Sequence, residues 1–156
     1  MITENFKQAI RVVYYKLRKK NISWAFVGST NMVLQGITNI IPKDLDIITH
    51  HKDLTVLESI FRDHVTEPIT KQPPFKPGYP NFYELKLDIN GVEVHALGEQ
   101  ETDIYYSRIS KNRIIFVEFE EMRLPCLTLE SEAEAYSETN RESKAKMIRD
   151  FLSNVK

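Results

Sequence analysis

Asp44 and Asp46, one residue apart in "KDLDIIT", are the pair in this chain best suited to hold a divalent cation. The stretch reads as a strand, and alternation along a strand sends both aspartates to one face and Leu45 and Ile47 to the other. Two carboxylates about 7 Å apart on one face repel each other unless a cation lies between them. Hard ions such as Mg²⁺ favour such oxygen ligands. A D-x-D on a solvent-facing strand edge is common, so the pair needs support from elsewhere in the chain.

Support comes from "FYELKLDI" and "VEVHAL", two alternating segments joined by Asn90-Gly91, a strong signal for a two-residue hairpin. That turn pairs Ile89 with Val92, Asp88 with Glu93, and Lys86 with His95. Facing carboxylates destabilise a ladder, so either the face is well solvated or one of them serves a cation. Glu93, between Val92 and Val94, has the setting of a central strand and is favoured; Asp88 reads as a turn-flanking residue. His95, on the face of Glu93, reads as a hydrogen-bonded sheet histidine, with contact to substrate or carboxylate as the alternative. His50 and His51 are adjacent and point to opposite faces, which makes them a poor chelate.

"SWAFVGS" reads as a buried strand ending at Gly28, and "TNMVLQGI" as a short helix stopped near Gly36. A strand that turns into a helix through Gly28-Ser29 offers backbone N–H groups and a hydroxyl to a phosphate. Gly28, with no Cβ, lets that phosphate approach closely. The alternative is a plain turn with an N-cap serine. Lys43, Arg141 and Lys144 are candidates to neutralise a triphosphate, or are exposed cations. Phe75, Tyr79, Tyr105 and Tyr106 are candidates to cover or stack on a base, or pack back onto the protein.

These residues resemble the signature of the nucleotidyltransferase superfamily that includes DNA polymerase beta. Its pattern is an apolar strand ending in Gly-Gly or Gly-Ser, a short helix, an Asp-x-Asp or Asp-x-Glu, and a third carboxylate on a later strand; here the pieces are "FVGS", "DLDI" and "VEVHA". The chain looks most similar to small single-domain members, such as the minimal and lincosamide-type antibiotic nucleotidyltransferases. The likeness covers residues 22–97 well and the rest loosely. It implies that Gly28 and Ser29, with Lys43, meet the nucleotide phosphates. It also implies that Asp44, Asp46 and Glu93 are the catalytic and metal-binding carboxylates, with two Mg²⁺ ions as cofactor and an NTP as substrate. Glu93 stands where Asp is more usual, one methylene longer. The reaction implied moves a nucleoside monophosphate to a hydroxyl of an acceptor that is a small molecule, a protein or an RNA end. The alternative is an antitoxin-like binding partner of the same fold, or a nucleotide-binding protein without turnover. A homodimer or a helical partner protein is compatible with either.

The elements that must position these groups follow from periodicity. Phe6, Ile10, Val13 and Leu17 predict an amphipathic helix over residues 4–20, ending in the basic "KLRKK". Leu54, Leu57, Ile60 and Phe61 predict another helix, "RIIFVEF" a strand, and residues 98–112 an irregular connection. "EPITKQPPFKPGYP" holds five of the seven prolines and predicts a loop. Thr139 and Glu142 have capping-box spacing before a helix whose Ile148, Phe151, Leu152 and Val155 would face the core. The fold class expected is α+β, a mixed twisted sheet of about four to six strands flanked by helices. It forms one domain over residues 1–156, with a core at 22–97 and C-terminal helices near 129–155.

Composition fits that picture. With 42% apolar and 28% charged residues, the chain has the balance of a soluble globular protein. No apolar run approaches the roughly 20 residues that cross a bilayer, and the N-terminus has no signal-peptide pattern. The lone cysteine, Cys126, cannot form an internal disulfide, which fits a reducing cytoplasm. Lys plus Arg number 21 against 22 Asp plus Glu, so no overall positive field draws a nucleic acid.

Overall fold

The computed structural model describes residues 2–74, 77–78, 81–99 and 113–155. Phe75, Tyr79, Tyr105 and Tyr106 lie outside the described residues. Seven strands form one mixed sheet in the order β3-β4-β5-β2-β1-β7-β6, more strands than the sequence led us to expect. They are β1 (Trp24–Val27), β2 (Leu45–His50), β3 (Val65–Gln72), β4 (Phe82–Ile89), β5 (Val92–Glu99), β6 (Ile114–Phe119) and β7 (Met122–Leu127). Among the described residues five α-helices accompany them: α1 (Glu4–Leu17), α2 (Gly28–Leu34), α3 (Leu54–Ile60), α4 (Leu129–Glu138) and α5 (Glu142–Asn154). Among the described residues no helix is long and apolar enough to cross a membrane.

One face of the sheet carries the main core. Ala9, Ile10, Val13 and Leu17 of α1 pack on Phe26, Ile47, Leu85, Val94 and Leu124, with Leu54 and Leu57 of α3 beside them. α1 starts at Thr3, whose side chain accepts from the Phe6 N–H, and stops at Leu17, leaving Arg18, Lys19 and Lys20 beyond the helix. α3 lies so close to β5 that a Cβ on Gly98 would stand 2.4 Å from Leu54 Cδ1. On the other side, α2, α4 and α5 build a smaller core from Met32, Ile37, Leu129, Ala133, Tyr136, Ala145 and Ile148.

Four expectations change. The proline-rich stretch is not a loop from its start, because Glu67–Gln72 belong to β3. That strand is the edge of the sheet and carries two irregularities in register, the setting in which Pro68 removes no needed ladder bond. Gly98 and Glu99, expected to open an irregular connection, belong to β5, and the rest of that stretch, residues 100–112, lies outside the described residues. The capping box does not form. The Thr139 hydroxyl instead donates to the carbonyls of Ala135 and Tyr136 at the end of α4, and the Glu142 carboxylate accepts from Ser137. Val155 lies past the end of α5 and is 62% exposed, so it does not face the core.

Candidate active site

β2 lies between β1 and β5, and its register decides what meets Asp46. Val27 of β1 is opposite it on one side and His95 of β5 on the other. The hairpin register is the one that Asn90-Gly91 predicts, pairing Asp88 with Glu93 and Lys86 with His95. Asp46, Glu93, His95 and, through its pairing with Leu97, Glu84 therefore share one face, the face opposite α1. Asp44 sits one residue before β2, on a bend fixed by a 3.0 Å bond from the Thr30 hydroxyl to its carbonyl. Asp44, Asp46 and His95 each offer a ligand atom within 4.8 Å of the others. Asp88 serves the turn, its carboxylate accepting the Gly91 N–H at 3.0 Å.

His95 is the hinge of the charge arrangement. Its Nδ1 stands 3.4 Å from Asp46 Oδ1 and its Nε2 is 2.8 Å from Glu93 Oε1, so one imidazole joins the two carboxylates. The hydrogen bond to Asp46 does most to push the His95 pKa up, to about 9, against the opposing effect of burial. The hydrogen bond between His95 and Glu93, with the imidazole's charge, holds the Glu93 pKa below its ordinary value. Partial burial, then the Asp46 charge, raises the Asp44 pKa, while His95 and Lys144 act in the other direction. Burial also raises Glu84, on the neighbouring strand. Crowded acidic groups with upward shifts are what a cation would relieve. The two aspartates are hard oxygen donors of the kind Mg²⁺ takes, whereas an imidazole suits softer ions. His95 thus fits better as the counterion of the carboxylates than as a magnesium ligand.

Gly28 has φ +74°, the left-handed region that favours glycine, and a Cβ there would lie 2.7 Å from Asp46 Oδ2. Both the backbone and the neighbouring carboxylate therefore require glycine. Ser29 follows inside the first turn of α2, half-buried. The Gly28 N–H is already engaged: it donates to Glu132 Oε1 at 3.1 Å and Oε2 at 3.2 Å. Glu132, on the first turn of α4, is 3% exposed, and burial pushes its pKa up to about 7 against the lowering effect of the Gly28 bond. Sequence reasoning missed Glu132 and Glu84. The signal for Glu132 was there: Leu129, Glu132, Ala133 and Tyr136 fall on one stripe of α4, a carboxylate among apolar residues.

A cleft of about 180 Å³ opens on this face, lined by Gly28, Asp46, Glu84, His95, Tyr136 and Arg141 among others. The Arg141 guanidinium lies 4.6 Å over the Tyr136 ring and Lys144 Nζ 5.4 Å from it. Two of the three candidate cations thus stand on the α4–α5 side of the site, whereas Lys43 is exposed on the bend before Asp44.

The fold is that of the nucleotidyltransferases. A candidate nucleotidyltransferase from Thermotoga maritima superposes with a TM-score of 0.77 at 26% identity, over 99% of this chain and 96% of its own. The lincosamide antibiotic adenylyltransferase LnuA, solved with lincomycin bound, gives 0.57 at 12% identity over 95% of this chain and 97% of its own. The antibiotic-resistance factor ANT(2'')-Ia gives 0.56 at 11% identity over 92% and 82%. No curated protein matches by sequence. Within this class the chain belongs to the aminoglycoside-2''-adenylyltransferase family, whose model matches residues 9–150.

Proposed function

We propose that this nucleotidyltransferase uses Mg²⁺ and an NTP to place a nucleoside monophosphate on a hydroxyl of a small-molecule acceptor. The observation that carries the reading is the convergence of Asp44, Asp46 and His95 within 4.8 Å, beside the Gly28 turn. Asp44 and Asp46 would hold the metal. Bound there, Mg²⁺ would neutralise the triphosphate and acidify the acceptor hydroxyl. Ser29 and Lys43 are assigned to the phosphates, with Arg141 and Lys144 adding positive charge from the α4–α5 side.

In the reaction the acceptor oxygen bonds to the α-phosphorus, the bond to the bridging oxygen breaks, and pyrophosphate leaves with the electron pair. The hydroxyl proton needs a base. His95, protonated near neutrality, is a poor one, and Glu93, held ionised by His95, is the better assignment unless it ligates a second metal. The chain's remaining work is positioning: β2 and β5 set the carboxylates, and Gly28 sets the distance from the turn to Asp46. A small hydroxylated acceptor is favoured by the family name and by the lincomycin bound to LnuA.

The test is pyrophosphate release from each NTP in the presence of Mg²⁺ and a panel of aminoglycosides, lincosamides and other polyhydroxylated compounds. Release that depends on one acceptor, and that disappears in Asp44→Asn and Asp46→Asn, supports the reading. Full release in either variant ends the metal assignment.

A further inference from the structure

Glu132 is a buried ionisable group for which the reaction above has no use. It comes from α4, 104 positions along the chain from the turn it touches, and both of its oxygens accept the Gly28 N–H. A single N–H held by two carboxylate oxygens is a charge-assisted contact, stronger than a neutral hydrogen bond. Burial of a carboxylate is costly, so something must offset it. Part of the compensation is local. The Asn31 amide of α2 and the Arg141 charge both favour its ionised form. Asn31 is itself anchored, its amide donating to the Leu127 carbonyl at 2.9 Å, with Gln35 reaching both Asn31 Oδ1 and that carbonyl. The end of β7, the start of α4 and the first turn of α2 are thereby tied together at Gly28.

Asp46 also stands against Gly28. The position of a Gly28 Cβ, 2.7 Å from Asp46 Oδ2, measures how closely the turn backs that carboxylate. A chain of contacts thus runs from Glu132 through the Gly28 peptide to Asp46.

We propose that Glu132 is a positioning residue for the metal-binding aspartates: its grip on the Gly28 N–H fixes the turn against which the Asp46 carboxylate rests, and so sets the affinity for the divalent ion without touching it. This rests on the assignment of Asp44 and Asp46 as the metal ligands. Partners that orient ligands in this way typically alter metal affinity by about ten- to a hundredfold when removed.

The probe is Mn²⁺ alone, with bound ion counted by electron paramagnetic resonance on wild type, Glu132→Gln and Glu132→Asp, and melting temperature recorded for each. Glutamine keeps the shape and one acceptor oxygen; aspartate keeps the charge but falls a methylene short of Gly28. Both variants are expected to weaken Mn²⁺ binding by about tenfold or more. Glu132→Gln should do so with an unchanged or higher melting temperature, because a neutral amide is easier to bury than a carboxylate. A purely structural role gives the opposite pattern, lower stability and intact binding, and overturns the proposal. Aspartate binding as wild type does so too, since the effect would then be one of charge and not of grip. Wild type that binds no Mn²⁺ removes the metal assignment and the proposal together, whereas tight binding in wild type and in both variants removes only the proposal. The Gly28 amide proton, followed by NMR in the wild type, needs no variant. It should stay hydrogen-bonded when Mg²⁺ and a non-hydrolysable NTP are added; its release would mean that phosphate displaces Glu132, which also defeats the proposal.

Discussion

Replacing Gly28 with alanine tests the local geometry most directly, because two separable strains meet at one atom. The backbone at φ +74° is one: holding alanine in the left-handed region costs about 1–2 kcal/mol. The other is contact. A Cβ 2.7 Å from Asp46 Oδ2 cannot be accommodated, so the carboxylate must swing off its preferred rotamer, at about 0.5–1.5 kcal/mol more. The sum, about 1.5–3.5 kcal/mol, should lower the melting temperature by roughly 3–14 °C in a chain of this size. Gly91 is the control. It has φ +82° but nothing within 4 Å of its would-be Cβ, so Gly91→Ala carries the backbone strain without the contact. Thermal melts of both variants, with and without Mn²⁺, separate the two effects. Gly91→Ala should lose stability yet keep any stabilisation by the ion, and Gly28→Ala should lose both. A Gly28→Ala protein that melts like wild type and responds equally to Mn²⁺ would refute the close approach of this turn to Asp46.

In the metal-free protein, His95 should titrate with a midpoint near 9, as read from its imidazole NMR signals, and Mg²⁺ should move that midpoint down by competing for Asp46. The sign for stability follows: with a folded value above the ordinary 6.5, the His95 contribution is fully present below pH 6.5 and is lost as pH rises through about 9, so His95→Ala should flatten that limb of the pH–stability curve. Gly98→Ala, which drives a methyl to within 2.4 Å of Leu54 Cδ1, should destabilise by about 1–3 kcal/mol in urea denaturation while leaving Mn²⁺ binding alone. Thr128→Ala removes the side chain that accepts the Ser131 N–H at the start of α4 and should cost about 1 kcal/mol by the same measurement.

Local patterns with a single physical cause were legible in the sequence. Asn90-Gly91 fixes a two-residue turn, and that alone gives the register of β4 on β5 and hence which carboxylates share a face. The amphipathic stripe of α1 and the glycine stop after α2 are similarly local. β7 was hidden because Pro125 breaks the alternation of "MRLPCL", and only the pairings with β6 and β1 reveal it as a strand. β3 was hidden by Pro68 for the same reason. Of the candidate site, the register places Asp46, Glu93 and His95 on one face, but no sequence spacing shows that His95 stands between two carboxylates. Glu84 and Glu132 reach the cleft through tertiary packing, and in "LESEAEAYSE" the buried glutamate is one of four.

The separation between Gly28 and Glu132 also bears on the order of events during translation. A ribosome delivers the turn and both aspartates early, whereas the carboxylate that grips the turn emerges 104 residues later. Until then the nascent segment has its acidic pair but lacks the far wall that shapes it, so the pocket is among the last parts of the molecule to mature.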